Sequence, residues 1–262
     1  MKQIRGDKPP RKRVLIGIPM TGTLRSEWHL SYTGLAVPCN WSAGYSIQQL
    51  EHYSPMDFLV AEARNVIADR AIRENYKWLF FIDHDVCLPY NTLQILNEYM
   101  RDSSIPIVGG LYFTRGIPSE PLVYRGLGNS YYDKWKIGDK VWLSGMGLGC
   151  NLIHVDLLKS LAEDCEEYKV KKGMMVKKIF ETPCEVFIDP ETNSFTRSVG
   201  TEDLHFYKRL KEGNHYKKAG FPHIQRKKYP ILCDTRIFCT HIDMSGIRYP
   251  SQGEERIFKH KK

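Results

Sequence analysis

The chain has 262 residues, of which 42% are hydrophobic and 26% charged, and its net charge is +8 at neutral pH. That length supports one substantial α/β core, and the Gly and Pro content excludes a collagenous or low-complexity chain. The longest apolar stretches, such as Trp78–Ile82, are far too short to cross a bilayer.

Seven dispersed cysteines, odd in number and never spaced C-x-x-C, argue against a disulfide framework and against a structural zinc site. Positive charge collects at the two ends and in residues 169–178 and 208–228. Such charge suits an anionic ligand, although solvated lysines on loops and tails account for it equally well. The basic N-terminus leads into a short strand with no signal-peptide core, which predicts a cytoplasmic protein whose basic tails offer peripheral attachment to a membrane.

Residues 1–12 read as a flexible basic tail, and Val14–Pro19 as a short buried strand closed by proline. Residues 20–54 read as loop with one short helix. Apolar positions 59, 60, 63, 66, 67, 71 and 72 predict an amphipathic helix over 56–76. Trp78–Ile82 has no polar side, as a central parallel strand requires. Pro89 is expected in the first turn of a helix over 90–100. A strand follows over 105–113, then loops and short strands over 116–143, and a helix over 155–165.

The lysine-rich stretch 169–178 reads as mobile, and Glu185–Ile188 as a strand. Thr201 is expected to cap a helix whose first turn carries Glu202 and Asp203, and the last strand-like pieces lie at 231–233 and 236–239. The pattern predicts an α/β domain over 13–245, with a C-terminal basic tail over 246–262.

The chemistry is concentrated where the apolar Trp78–Ile82 strand ends in Asp83-His84-Asp85. Open α/β sheets bind ligands at the carboxyl ends of their strands. Hard oxygen ligands placed there suit Mg²⁺ or Mn²⁺ bridging to phosphate. The alternative is that the two carboxylates merely begin a loop and cap the next helix.

This segment, with Ala63-Arg64-Asn65, Ile18-Pro19-Met20-Thr21 and Val108–Phe113, resembles the A-type (GT-A) glycosyltransferases, in particular family 2 and its microbial and phage relatives. The resemblance spans most of 14–245; residues 20–54 and 166–182 match nothing recognised. It implies a GT-A-like, Rossmann-related α/β fold, with a mostly parallel sheet flanked by helices and a mixed antiparallel C-terminal part. It implies a nucleotide and metal half over about 13–115 and an acceptor half over about 116–245. The implied reaction moves a sugar from a UDP- or GDP-linked donor to an acceptor hydroxyl of unknown identity.

In that reading Asp83, Asp85 and His241 hold Mn²⁺ or Mg²⁺. Pro19, Thr21, Arg64, Asn65, Asp83, His84, Gly145 and Gly147 line the donor pocket, although His84 could equally point away. Arg64 could instead pair with Glu62 or Asp69 on the helix surface. Asp203, with Glu202, would be the base of an inverting reaction; retaining enzymes share the fold and the metal motif without one. Tyr131, Tyr132, Trp135 and Trp142 could stack sugars or bases, or line an acceptor groove.

Three rival classes share some of these features. A dehalogenase-type phosphatase also uses an apolar strand ending in Asp-x-Asp, but Asp85 is followed by Val86-Cys87 and no later Asp pair is found. A nucleotidyltransferase would carry a glycine- and arginine-rich loop after the first strand, of which Pro19–Arg25 is a poor version. A non-catalytic carbohydrate- or nucleic-acid-binding module is the third; a nucleic-acid partner is not expected.

Overall fold

A computed structural model describes residues 12–38, 50–126, 131–188 and 195–251. The expected tail at 1–12 therefore lies outside the described residues, except for Lys12, which opens the first strand.

A seven-stranded sheet forms the centre of the protein. Its order across the sheet is Leu50–Tyr53, Lys12–Gly17, Tyr76–Ile82, Cys150–His154, Ile107–Leu111, Ile231–Phe238 and Lys140–Leu143. Five of the seven strands run one way, while Cys150–His154 and Lys140–Leu143 run against them. The α/β class expected from the sequence, a mostly parallel sheet flanked by helices, is the one found. The antiparallel contribution is not confined to the C-terminal part, however: Cys150–His154 occupies the centre of the sheet.

Each face of the sheet is covered, which explains why the central strands have no polar side. Side chains alternate along a strand, so Leu79 and Phe81 join one core while Trp78, Phe80 and Ile82 join the other. The first core packs beneath the helices Val60–Arg73, Val155–Glu163 and Glu202–Glu212, through residues such as Ile67, Leu158 and Phe206. The second packs beneath Thr92–Asp102 and Ser26–Thr33, through Leu96, Tyr99 and Trp28. Each fully buried Leu or Phe in these layers stabilises the fold by about 1.5–3 kcal/mol.

Several expected elements are shifted or replaced. The helix expected over 56–76 runs from Val60 to Arg73. Leu59 and Val60 of its apolar pattern are exposed, and Asn75 turns left-handed (φ 58°) to release Tyr76 into the strand. Pro89 does not enter the first helical turn; it precedes the helix Thr92–Asp102, and its carbonyl accepts from the Thr92 N–H. Leu50–Tyr53, expected within an irregular region, is the edge strand of the main sheet.

The lysine-rich stretch 169–178 folds back as an antiparallel hairpin, Glu167–Lys169 against Met175–Lys177. Val170 and Val176 of that hairpin are buried against Val66. The chain also stays folded past the expected boundary at 245: Arg248–Tyr249 pairs with His241–Ile242, and Tyr249 is buried. Among the described residues, no helix is long and apolar enough to cross a membrane.

Candidate active site

The alternation that builds the two cores also aims the site. Asp83 continues the series Leu79, Phe81, and so it faces the helices Val60–Arg73 and Glu202–Glu212. There it meets Arg64, whose guanidinium lies 5.8 Å from the centre of the Phe81 ring. Arg64 Nη2 donates to both Asp83 oxygens, at 2.8 and 3.0 Å. Its Nη1 donates to Glu202 and lies 3.5 Å from Asp203 Oδ1.

Arg64 is only 1% exposed, and three carboxylates converge on it from two distant parts of the chain. The surface pairing with Glu62 or Asp69 is not formed; Asp69 is taken by Arg73. Burial alone would lower the Arg64 pKa, but Asp83, Asp203 and Glu202 outweigh it, so the guanidinium stays firmly charged.

Thr201 stands at the N-cap of the Glu202–Glu212 helix but makes no side-chain capping bond. The acids behind it are turned inward instead of solvating the helix end. Asp203 Oδ2 accepts from the Leu148 N–H at 3.2 Å, whereas Oδ1 is sealed from solvent and accepts no hydrogen bond. Burial pushes the Asp203 carboxyl up to about 7; Arg64 and the Leu148 N–H work against that rise, and Glu202 and Asp83 add to it. Burial likewise raises the Asp83 pKa despite Arg64, helped by the nearby Asp85 and Glu202 charges.

Asp203 lines a cleft of about 620 Å³ whose walls include Glu120, Tyr124, Gly147, Gly200, His205 and Lys208. The aromatic residues expected to line an acceptor groove are elsewhere. Trp135 is buried and donates to the Tyr132 carbonyl, Arg125 covers the Tyr132 ring at 3.9 Å, and Lys227 covers Trp142 at 4.0 Å. Tyr124, not singled out from the sequence, takes that position in the cleft.

Asp85 belongs to a second cluster. After Asp83 the chain turns, with the Val86 N–H bonded to the Asp83 carbonyl, and Val86–Cys87 pairs with Thr240–His241. This short ladder places His241 Nε2 3.3 Å from Asp85 Oδ2. Arg115 Nη1 lies 3.3 Å from the same oxygen. Burial would raise the Asp85 pKa, but His241, Arg115 and His84 hold it below its ordinary value.

His241 Nδ1 lies 2.7 Å from the Phe113 carbonyl oxygen, which can only accept, so that nitrogen carries a proton. A neutral His241 would then turn the Nε2 lone pair toward a carboxylate oxygen. That arrangement is repulsive unless a proton or a cation lies between them. The pair accommodates either a shared proton or a hard divalent ion, while Asp83 is engaged by Arg64. Among the described residues, no group of three or more His, Cys, Asp or Glu forms a metal cage.

The remaining expected positions divide. Thr21 Oγ1 and His84 Nε2 lie 3.3 Å apart at the exposed edge of this second cluster. Pro19 is buried just before it, at the end of the first strand's course. Asn65 does not face a ligand. Its amide donates to Tyr168 Oη and the Phe180 carbonyl at 2.9 Å and accepts from the Phe180 N–H at 2.7 Å, which pins the chain beyond the hairpin.

Gly145 and Gly147 are glycines for reasons of packing. A Cβ on Gly145 would lie 2.5 Å from Leu204 Cδ2, and one on Gly147 only 2.0 Å from Tyr112 Oη. Tyr112, not anticipated, accepts from the Gly149 N–H at 2.9 Å and fills the space between Gly147 and Asp83. Its only sequence signal was its place at the end of an apolar strand. Trp28 is a further unanticipated support, donating from Nε1 to the Asp83 carbonyl at 2.9 Å.

No protein-family model matches the chain, and no curated protein matches it. Among solved structures, the chain is similar to A197 from STIV, with 17% identity and a TM-score of 0.54 over 90% of this chain and 88% of that one. At that level the likeness is one of fold. Structures of S. aureus TarS also align: residues 1–349 in complex with UDP give 12% identity and a TM-score of 0.36, over 60% of this chain and 50% of that one. A further TarS structure gives 11% and 0.39, over 76% of this chain and 33% of that one. The TarS likenesses are too slight to carry an argument.

Proposed function

We propose that the chain is a glycosyltransferase of the A type that moves a sugar from a nucleotide-diphosphate donor to an acceptor hydroxyl, with Asp203 as the base. The observation that carries this reading is Arg64. One buried guanidinium joins the carboxylate at the end of the Tyr76–Ile82 strand to the acids opening the Glu202–Glu212 helix.

A salt bridge buried this deeply is a poor source of stability, since desolvation offsets most of the attraction. Its value lies in fixing the donor side and the acceptor side of a site relative to one another. In this reading residues 13–115 form the donor half and residues 116–245 the acceptor half.

The roles follow from the chemistry of each group. Asp203 lines the cleft, its Oδ2 is held by the Leu148 N–H, and it takes the proton of the attacking hydroxyl. A base poised near 7 is well matched to that task at neutral pH. Glu202 and Arg64 orient it.

Asp85 and His241 would hold Mn²⁺ or Mg²⁺, and Thr21 and His84 lie alongside them for the donor. When bound, the ion supplies positive charge to the departing diphosphate. Arg115, half-exposed beside Asp85, adds a second cation on that side. Inversion at the anomeric carbon follows if Asp203 acts as described.

A screen of UDP- and GDP-sugars by thermal shift and hydrolysis, with and without Mn²⁺, tests the proposal. A metal-dependent shift together with slow hydrolysis of at least one donor is expected. If no nucleotide sugar shifts the melting temperature or is hydrolysed with or without Mn²⁺, the reading fails. Asp203→Asn separates enzyme from binding module: donor binding should persist while turnover falls by about 10²-fold or more.

A further inference from the structure

Beside the Asp203 cleft lies a smaller hollow of about 290 Å³ that nothing above uses. The two are continuous in their walls, because Tyr124, Leu204 and Lys208 line both. Lys208 follows Asp203 on the same helix by just over one turn, so it stands between the two spaces.

The charge of the hollow is one-sided. Lys208, Lys211 and Lys228 line it with Glu212 as the one acidic residue in the wall. Among the described residues no carboxylate forms an ion pair with any of the three lysines. Lys208 and Lys228 are exposed and unrestrained by acids.

Lys211 is different: its ammonium is drawn inward onto the carbonyls of Gln225 and Lys227, the latter at 2.7 Å. Burial lowers its pKa. Three lysines against one glutamate in its wall give the hollow a net positive field that suits an anion.

Resting on the transferase reading of the cleft, we infer that the acceptor carries a phosphate group, which the hollow lined by Lys208, Lys211 and Lys228 binds while the acceptor hydroxyl reaches Asp203. The same chemistry could belong to a soluble phosphorylated sugar or to a phospholipid headgroup. Either way the hollow selects for the anion and the cleft for the hydroxyl.

The test uses the whole chain without any nucleotide sugar, so its result does not depend on whether donor turnover is ever found. Glucose 6-phosphate and inorganic phosphate are titrated calorimetrically into the wild type and into the Lys208→Ala/Lys228→Ala double variant, whose altered side chains are exposed and leave the core untouched. In parallel, both proteins are sedimented with phosphatidylcholine vesicles with and without phosphatidylglycerol.

A soluble phosphate source predicts saturable binding that weakens at least tenfold in the double variant. A lipid source predicts phosphatidylglycerol-dependent sedimentation lost in that variant. Absence of both signals, or binding that survives the double substitution unchanged, overturns the inference. If the lysine-dependent signal appears but no donor is ever turned over, the hollow stands and the transferase reading falls.

Discussion

Arg64 Nη2 donates to both oxygens of Asp83, at 2.8 and 3.0 Å, across 19 residues of chain. This pairing gives the first acid of Asp-His-Asp a buried cationic partner. Among the described residues it also makes Arg64 the one cation paired with all three acids, and the first prediction follows from that imbalance.

Arg64→Met leaves Asp83, Glu202 and Asp203 facing one another without a counter-charge. Breaking a buried ion network in this way costs about 3–5 kcal/mol. The loss should be smaller at pH 5 than at pH 7.5, because protonating the acids relieves their repulsion. Urea melts at the two pH values measure both effects, and a variant as stable as wild type at pH 7.5 would refute the hub.

Asp203 carries the opposite sign from an ordinary salt-bridged acid. Its folded pKa, about 7, lies above the usual 3.8, so the folded state keeps a proton that the unfolded chain releases between those values. Its contribution to stability is therefore greatest below the ordinary value and declines as pH rises, until it is fully lost above about 7. Asp203→Asn removes that decline and keeps an oxygen for the Leu148 N–H. Above pH 7.5 the variant should be more stable than wild type, by on the order of 1–3 kcal/mol, while activity is lost. Thermal melts across pH 4–8 would show the two curves converging at the acid end.

The same group sets the pH dependence of turnover. If Asp203 is the base, kcat/KM should rise with pH through about 7 and then level off. A profile flat from pH 5 to 8 would remove Asp203 from the chemistry.

Asp85 and His241 make the metal reading testable without turnover. Mn²⁺ should raise the melting temperature of the wild type, and Asp85→Ala should abolish that rise while leaving a folded protein. An undiminished Mn²⁺ shift in Asp85→Ala would place the ion elsewhere.

Gly147→Ala sets a Cβ against Tyr112 Oη, which itself braces Gly149. Overpacking of this kind costs about 1–3 kcal/mol. Denaturant midpoints of the variant and the wild type give the comparison, and an unchanged midpoint would mean that Tyr112 moves freely.

Local chemistry in the chain determined a good deal. Trp78–Ile82 had to be a strand covered on both faces, since five apolar or aromatic positions without a polar side leave nothing to solvate. Thr201-Glu202-Asp203 had to open a helix, and Asp83 had to lie at a strand's carboxyl end. By contrast, Cys150–His154 gave no such signal, because Asn151 and His154 interrupt its apolar character, yet it is the central antiparallel strand. Asn65 looked like a candidate ligand contact because its neighbour is Arg64; its true partner is the Phe180 backbone, 115 residues away.

Only the tertiary structure decided how the acids divide. Strand parity sends Asp83 toward Arg64, while the turn that follows and the pairing of Val86–Cys87 with Thr240–His241 bring Asp85 to His241. The first contact spans 19 residues of chain and the second more than a hundred. Propensity and hydrophobic period act within a few residues of a position, so they specify the elements; the register and packing that set one acid against an arginine and the other against a histidine arise only when those elements assemble.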